Sequence, residues 1–181
     1  MKPSRIACAL TFVALLWISG LPLMQAQNSR DSVRVVRQRY AVINQDLAKY
    51  RTVKKELEGF STEGGELTAY TEGTAIRKIV ARFQGESGRA LEEYYYWDDK
   101  LQFVYRKEDT YSAPMSGKVT NSVETRSYFQ NGELIRWLNS KVKPMRRGSD
   151  QYTEHETRCL RNSEIFVTGV RSTKATIEAP E

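Results

Sequence analysis

Four consecutive aromatic residues, Tyr94-Tyr95-Tyr96-Trp97, stand between Glu92-Glu93 and Asp98-Asp99, and after Lys100 the chain alternates through Leu101, Phe103 and Tyr105. Strand-forming residues on both sides of a short acidic break describe a β-hairpin. One with this much apolar area belongs at the centre of a sheet. Side chains alternate along a strand, so a slip of one residue reverses every face. A three-residue loop, Asp98 to Lys100, places Leu91, Tyr95, Trp97, Leu101, Phe103 and Tyr105 together, with Glu92, Tyr94, Tyr96, Gln102, Val104 and Arg106 opposite. A two-residue Asp98-Asp99 loop instead groups Tyr94, Tyr96, Leu101, Phe103 and Tyr105 and leaves Leu91 and Trp97 among charges. Burying a large aromatic side chain contributes roughly 1.5–3 kcal/mol, which favours the three-residue loop and makes Trp97→Ala costlier than Tyr96→Ala.

The same alternation recurs through Glu66–Thr71, Ile76–Phe83, Ala90–Trp97, Leu101–Lys107, Val123–Phe129 and Leu134–Leu138, separated by turn residues of which Asn131-Gly132 is the strongest hairpin signal. Such short connections hold no crossover helix, so neighbouring strands pair antiparallel. Tyr70, Tyr95 and Tyr128 each precede an apolar residue, Ile76, Leu101 or Leu134, by six positions across a turn. This repetition reads either as duplication or as the common need of hairpins of one length. Thr110–Asn121, with Pro114 and Gly117, reads as a mobile loop.

Ahead of the strands, Val36, Tyr40, Ile43, Leu47, Tyr50 and Leu57 recur at steps of four and three, apart from a break at Val53-Lys54. They form one helical stripe from Asp31 to Leu57, with Ser29 or Asp31 able to cap it and Gly59 to end it. Arg34, Arg37, Arg39, Lys49, Arg51, Lys54 and Lys55 decorate the rest of its surface, which is read as solvated because the stripe is needed to cover the sheet. Lys141–Gly148 is a linker. Ser149 or Asp150 then opens a second helix carrying Tyr152, Cys159, Ser163, Phe166 and Val170 near one face, although Ile165-Phe166-Val167 also suits a strand. The expectation is a single α+β domain over residues 27–170. In it, an antiparallel meander of about six strands is covered by the first helix and, where Ser149–Val170 is helical, by the second. Residues 171–181 are expected to fray.

The N-terminus has the layout of a secretory signal peptide: Lys2 and Arg5, an apolar run from Ile6 to Ile18, then Gly20, Pro22 and Gln25-Ala26-Gln27. Cleavage is placed after Ala26, and the product is periplasmic or secreted, with no membrane span after cleavage. The run is short of the about 20 residues that cross a bilayer, and an uncleaved anchor is the alternative. Removing residues 1–26 leaves 26 basic against 22 acidic residues, interleaved, with Cys159 as the one cysteine. That charge balance implies solubility and does not point to a polyanion; export argues against nucleic acid.

Chemistry is sparse. His155 is the sole histidine, and its neighbours Glu154 and Glu156 point elsewhere on a helix, so the triplet builds neither a metal site nor an oriented base. Cys159, one turn on, pairs geometrically with His155 but lacks a third group. Glu92 and Glu93 alternate across a strand, and Asp98 and Asp99 lie in a turn, so no facing carboxylate pair emerges. Gly64-Gly65 and Gly85–Gly88 precede strands, not helices, and cradle no phosphate. No cofactor and no metal are expected. The residues left for binding are Tyr94, Tyr96, Arg82 and Arg106, with Arg126 and Tyr128, on the non-core face of the sheet. Rings there can stack on sugars and arginines can hold carboxylates; the same residues also make ordinary cross-strand pairs with Glu92 and Glu124.

Glu92-Glu93-Tyr94-Tyr95, Leu101–Tyr105 and Tyr128–Trp137 resemble segments of uncharacterised exported bacterial proteins with tyrosine-rich hairpins, a likeness that extends over most of the mature chain, including Arg37–Gly65. The resemblance implies a bacterial origin; it carries no known activity and adds nothing about mechanism. The hairpins are also loosely similar to MORN repeats, without their glycine and tryptophan spacing. The function expected is a non-catalytic binding or structural protein of the cell envelope, its partner an envelope protein or a glycan. The alternatives are a hydrolase using carboxylates near Glu92–Asp99, or a small inhibitor acting through Tyr111–Asn121.

Overall fold

The protein is seen in a computed structural model that describes residues 21–180. The expected leader begins outside the described residues, and Cys8 lies there too. A long helix, α1 (Leu21–Gln45), and a single 3-10 turn (Leu47–Lys49) lead into seven strands: β1 (Arg51–Glu58), β2 (Gly65–Glu72), β3 (Ala75–Gly85), β4 (Gly88–Trp97), β5 (Lys100–Tyr111), β6 (Val119–Gln130) and β7 (Glu133–Leu138). Helix α2 (Asp150–Arg171) and a short strand, β8 (Thr176–Glu178), follow. All eight strands form one sheet in the order β7-β6-β5-β4-β3-β2-β1-β8, antiparallel except where β8 joins β1 in parallel. The α+β meander is therefore present, with eight strands in place of six.

The first helix ends twelve residues before Leu57, and the chain it was expected to include becomes β1. Val53, Lys55 and Leu57 alternate there, and this period of two prevails over the stripe because β1 gains a neighbour on each edge. Lys55 points inward, and its ammonium donates to the carbonyls of Ser172, at 2.9 Å, and Lys174, just past the end of α2. The tail expected to fray is tied down by β8. Ile177 lies so close to Gly169 that a Cβ there would come within 2.4 Å of its Cδ1. The second helix forms throughout Asp150–Arg171 and is capped by the Ser149 hydroxyl, which accepts from the Tyr152 amide.

The central hairpin turns through a two-residue Asp98-Asp99 loop, both residues at positive φ (51° and 54°), not through three residues. Tyr96 pairs with Leu101 and Tyr95 with Phe103, so Gln102 is an extra, bulged residue. The bulge reconciles two demands that a regular ladder sets against each other. Trp97, Tyr95, Phe103 and Tyr105 still share one face, while Leu101 joins Tyr94 and Tyr96 on the other. Two further hairpins follow the same plan. Around Gly73-Thr74 and Asn131-Gly132 the pairs Thr71–Ile76 and Phe129–Leu134 are followed by Tyr70–Lys78 and Tyr128–Arg136, leaving Arg77 and Ile135 as the extra residues.

Both faces are covered. Under α2, Tyr152, Cys159, Phe166 and Val170 pack on Leu67, Ile79, Tyr94, Tyr96, Val104 and Phe129. On the other face Val33, Val36 and Ile43 of α1 pack on Tyr95, Phe103, Tyr128 and Leu138. Polar contacts fix the path of α1 across the strands. Ser32 donates to Gln130 (2.7 Å), Arg39 to the bulged Gln102 (2.6 Å), and Asn44 accepts from Lys78 (3.2 Å), so α1 runs from β6 over β5 to β3.

Candidate binding groove

The six residues expected to share an exposed face divide between the two faces. Tyr94 and Tyr96 lie on the side away from Trp97, as the alternation requires, but α2 covers them, and they are 1 % and 3 % exposed. Arg106 is on that side as well. Arg82, Arg126 and Tyr128 lie on the α1 side, where Arg82 is exposed and pairs with Glu66 at 3.2 Å. An open aromatic surface under α2 is thereby ruled out. Periodicity alone gave no signal of it, because the residues of α2 needed to cover Tyr94 and Tyr96 are more than fifty positions away.

Arg126 and Tyr128 do come together, in a groove of about 540 Å³ between α1 and strands β4–β6, with Arg37, Tyr40, Glu93, Phe103, Tyr105 and Glu124. The sheet dictates this grouping. Tyr95–Phe103–Tyr128 and Glu93–Tyr105–Arg126 are adjacent cross-strand rows, and Lys107–Glu124 continues them. Arg37 and Tyr40, three residues apart, lean from α1 over the first row. The Tyr40 ring sits 4.8 Å from Tyr95 and 5.5 Å from Phe103, the latter edge-on, and Phe103 lies 4.9 Å from Tyr128. Two guanidinium groups lie over rings, Arg37 on Tyr128 (5.8 Å) and Arg126 on Tyr105 (5.5 Å). Arg126 also holds Glu124 at 2.8 Å. Glu93 accepts from Lys78 (2.9 Å) and from the Tyr95 hydroxyl (2.7 Å). Burial, with Glu124 alongside, pushes the Tyr105 phenol up to about 12, so it stays a neutral donor. The alternation of Phe103 and Tyr105 opposite Tyr95 and Glu93 was the available sequence signal. The contribution of Arg37 and Tyr40 needed the path of α1.

Another set of groups with chemical potential sits on the other face, each engaged by neighbouring side chains. Burial, then Arg158 and Arg106, bring His155 down to about 4, so its ring is neutral. A guanidinium only donates, so Nδ1 accepts from Arg158 at 2.9 Å, and the ring proton lies on Nε2, directed at Ser127 Oγ 2.7 Å away. A ring that donates to the serine cannot take its proton. Cys159 Sγ is 3.6 Å from the same nitrogen, and burial, then Glu92, raises its thiol to about 12. Trp137 stacks on the imidazole at 3.9 Å. Glu92 is buried and bound by the Tyr94 hydroxyl and Arg106, facing away from Glu93, so the two carboxylates cannot flank one bond.

Comparison with protein-family models, with curated proteins and with solved structures gives no match to this chain.

Proposed function

We propose that the chain is an exported, non-catalytic binding protein of the cell envelope, related to exported bacterial proteins with tyrosine-rich hairpins, and that the groove beside α1 holds its ligand, a glycan or part of an envelope protein. One observation carries this reading: Tyr40, Tyr105, Tyr128, Arg37 and Arg126 converge on an open groove, whereas His155, Ser127 and Cys159 are buried against one another and Glu92 is buried against Tyr94 and Arg106. Export rests on Lys2, Arg5 and the apolar run to Ile18, and mass spectrometry of the N-terminus from fractionated cells checks it. Gln27 as first residue in the periplasm or medium is expected; intact Met1–Glu181 in the cytoplasm refutes export.

Affinity capture from native envelope extract tests the binding reading. A soluble glycan or a single protein is expected to elute from the native chain and to be lost from Tyr105→Ser with Arg126→Gln. Equal capture by the double variant rejects the groove. The hydrolase reading predicts turnover abolished by Glu92→Gln; the orientation of Glu92 and Glu93 to opposite faces weighs against it.

A further inference from the structure

We infer that the groove binds a glycan carrying a single carboxylate and that Arg37 receives that carboxylate; the inference rests on the groove being the ligand site. Four charged side chains line it, and three are already matched within the protein: Arg126 by Glu124, Glu124 by Arg126, and Glu93 by Lys78 and Tyr95. Arg37 has no carboxylate partner among the described residues, is exposed, and lies over the Tyr128 ring, which orients its planar fork. A guanidinium held in this way matches a carboxylate with two parallel hydrogen bonds. With the other three charges balanced inside the protein, the groove offers one unmatched positive charge, which suits a single carboxylate and gives a polyanion no further partner.

The same groove distinguishes a sugar from an extended peptide. A peptide lying on a sheet takes its affinity from a free strand edge, but at the groove β4 and β5 are paired on both sides and β6 is paired with β7 from Arg126 to Gln130, so that of the groove residues only Glu124 lies where the outer edge of β6 is open. A pyranose needs no edge. It presents a C–H face to the exposed Tyr40 ring and the half-buried Tyr105 ring and a rim of hydroxyls to the remaining lone pairs of Glu93 and Glu124. The volume falls within the roughly 300–1,000 Å³ of small-molecule sites. A uronic acid and a lactyl-ether sugar offer the same carboxylate chemistry.

Titrations of the purified protein, read by the aromatic proton resonances of Tyr40, Tyr105 and Tyr128, test this with cellobiuronic acid, N-acetylmuramic acid and neutral cellobiose. At least one acid sugar is expected to bind about tenfold or more tightly than cellobiose, and Arg37→Gln to remove that advantage while Arg37→Lys restores part of it. Which acid sugar responds identifies the source of the carboxylate. Arg37 is exposed, so unchanged amide spectra of the variants establish that they fold. Cellobiose binding as tightly as the acids, or Arg37→Gln binding like the native chain, overturns the inference and leaves the groove as a ligand site. If no sugar moves the tyrosine resonances while a captured envelope protein does, the glycan is overturned but the binding function is not. If nothing reaches the groove, both fall.

Discussion

At the residue scale, burial has consequences that reverse or sharpen what alternation alone implies. Tyr96 is 3 % exposed and hydrogen-bonds Ser163 on α2 at 2.9 Å, while Trp97 is only half-buried, with Arg39 and Arg77 over its ring. Tyr96→Ala is therefore expected to cost roughly 3–5 kcal/mol and Trp97→Ala distinctly less, the opposite of the order expected from the hairpin by itself. Urea denaturation of the two variants decides it, and a larger loss for Trp97→Ala would contradict the packing described. His155 gives a second test. Its pKa in the fold, about 4, lies below the usual 6.5, so the unfolded chain takes up the proton first. The contribution is whole above pH 6.5 and is lost as pH falls toward 4, roughly 3 kcal/mol over the window. Stability measured between pH 7 and 5, where most carboxylates do not yet titrate, should decline in the native chain and flatten in His155→Gln. A flat native profile would mean that the imidazole is not held neutral. That His155 and Cys159 meet was legible from their i, i+4 spacing; that Ser127 and Trp137 complete the cluster was not, since each reaches it only through the sheet.

At the scale of elements, the turns and strands were legible where a local signal acted alone and misread where two periods overlapped. The six strands from Glu66 to Leu138 and the second helix follow their alternation and capping. Residues 46–57 satisfied a helical stripe and a strand at once, and only pairing with β2 and β8 separates the two. Bulges were invisible for a related reason: Arg77 and Gln102 are surplus to their ladders, yet one stacks on Trp97 and the other accepts from Arg39, so their roles lie with partners outside the hairpin. The loop makes a direct prediction. Asp98 and Asp99 both hold positive φ, which Asn-Gly adopts more readily, so Asp98→Asn with Asp99→Gly should stabilise by roughly 0.5–1 kcal/mol in urea unfolding. The exposed contact of Asp99 with Arg171 contributes too little to reverse the gain. Destabilisation would argue for the three-residue loop. In β8 the test is steric: Gly169→Val should displace Ile177 and accelerate amide exchange over 176–178, and unchanged protection would show that β8 is not seated on that glycine.

At the scale of the whole molecule, the class of fold was readable from the strand and helix patterns, but the covering of both faces was not, because it depends on which way each helix crosses the sheet. The same dependence moved the candidate site from the Tyr94–Tyr96 face to the α1 side. The parallel pairing of β8 with β1 joins Leu57 to Ile177, about 120 residues apart, and supplies the outer neighbour of the first strand. A chain that emerges from its N-terminus can assemble β1 through β7 progressively by adjacent hairpins, each closing a short loop. Its first strand, however, keeps a bare edge until nearly all of the sequence has followed. Deleting residues 174–181 should hold the protein in that state, with Lys55 deprived of its Lys174 carbonyl and β1 open to pairing with other chains. Sedimentation of the truncated chain is expected to show association where the full chain stays monodisperse. Strand β8 thus acts as a clock as well as a brace: it sets the interval during synthesis in which the sheet can be joined by a neighbour.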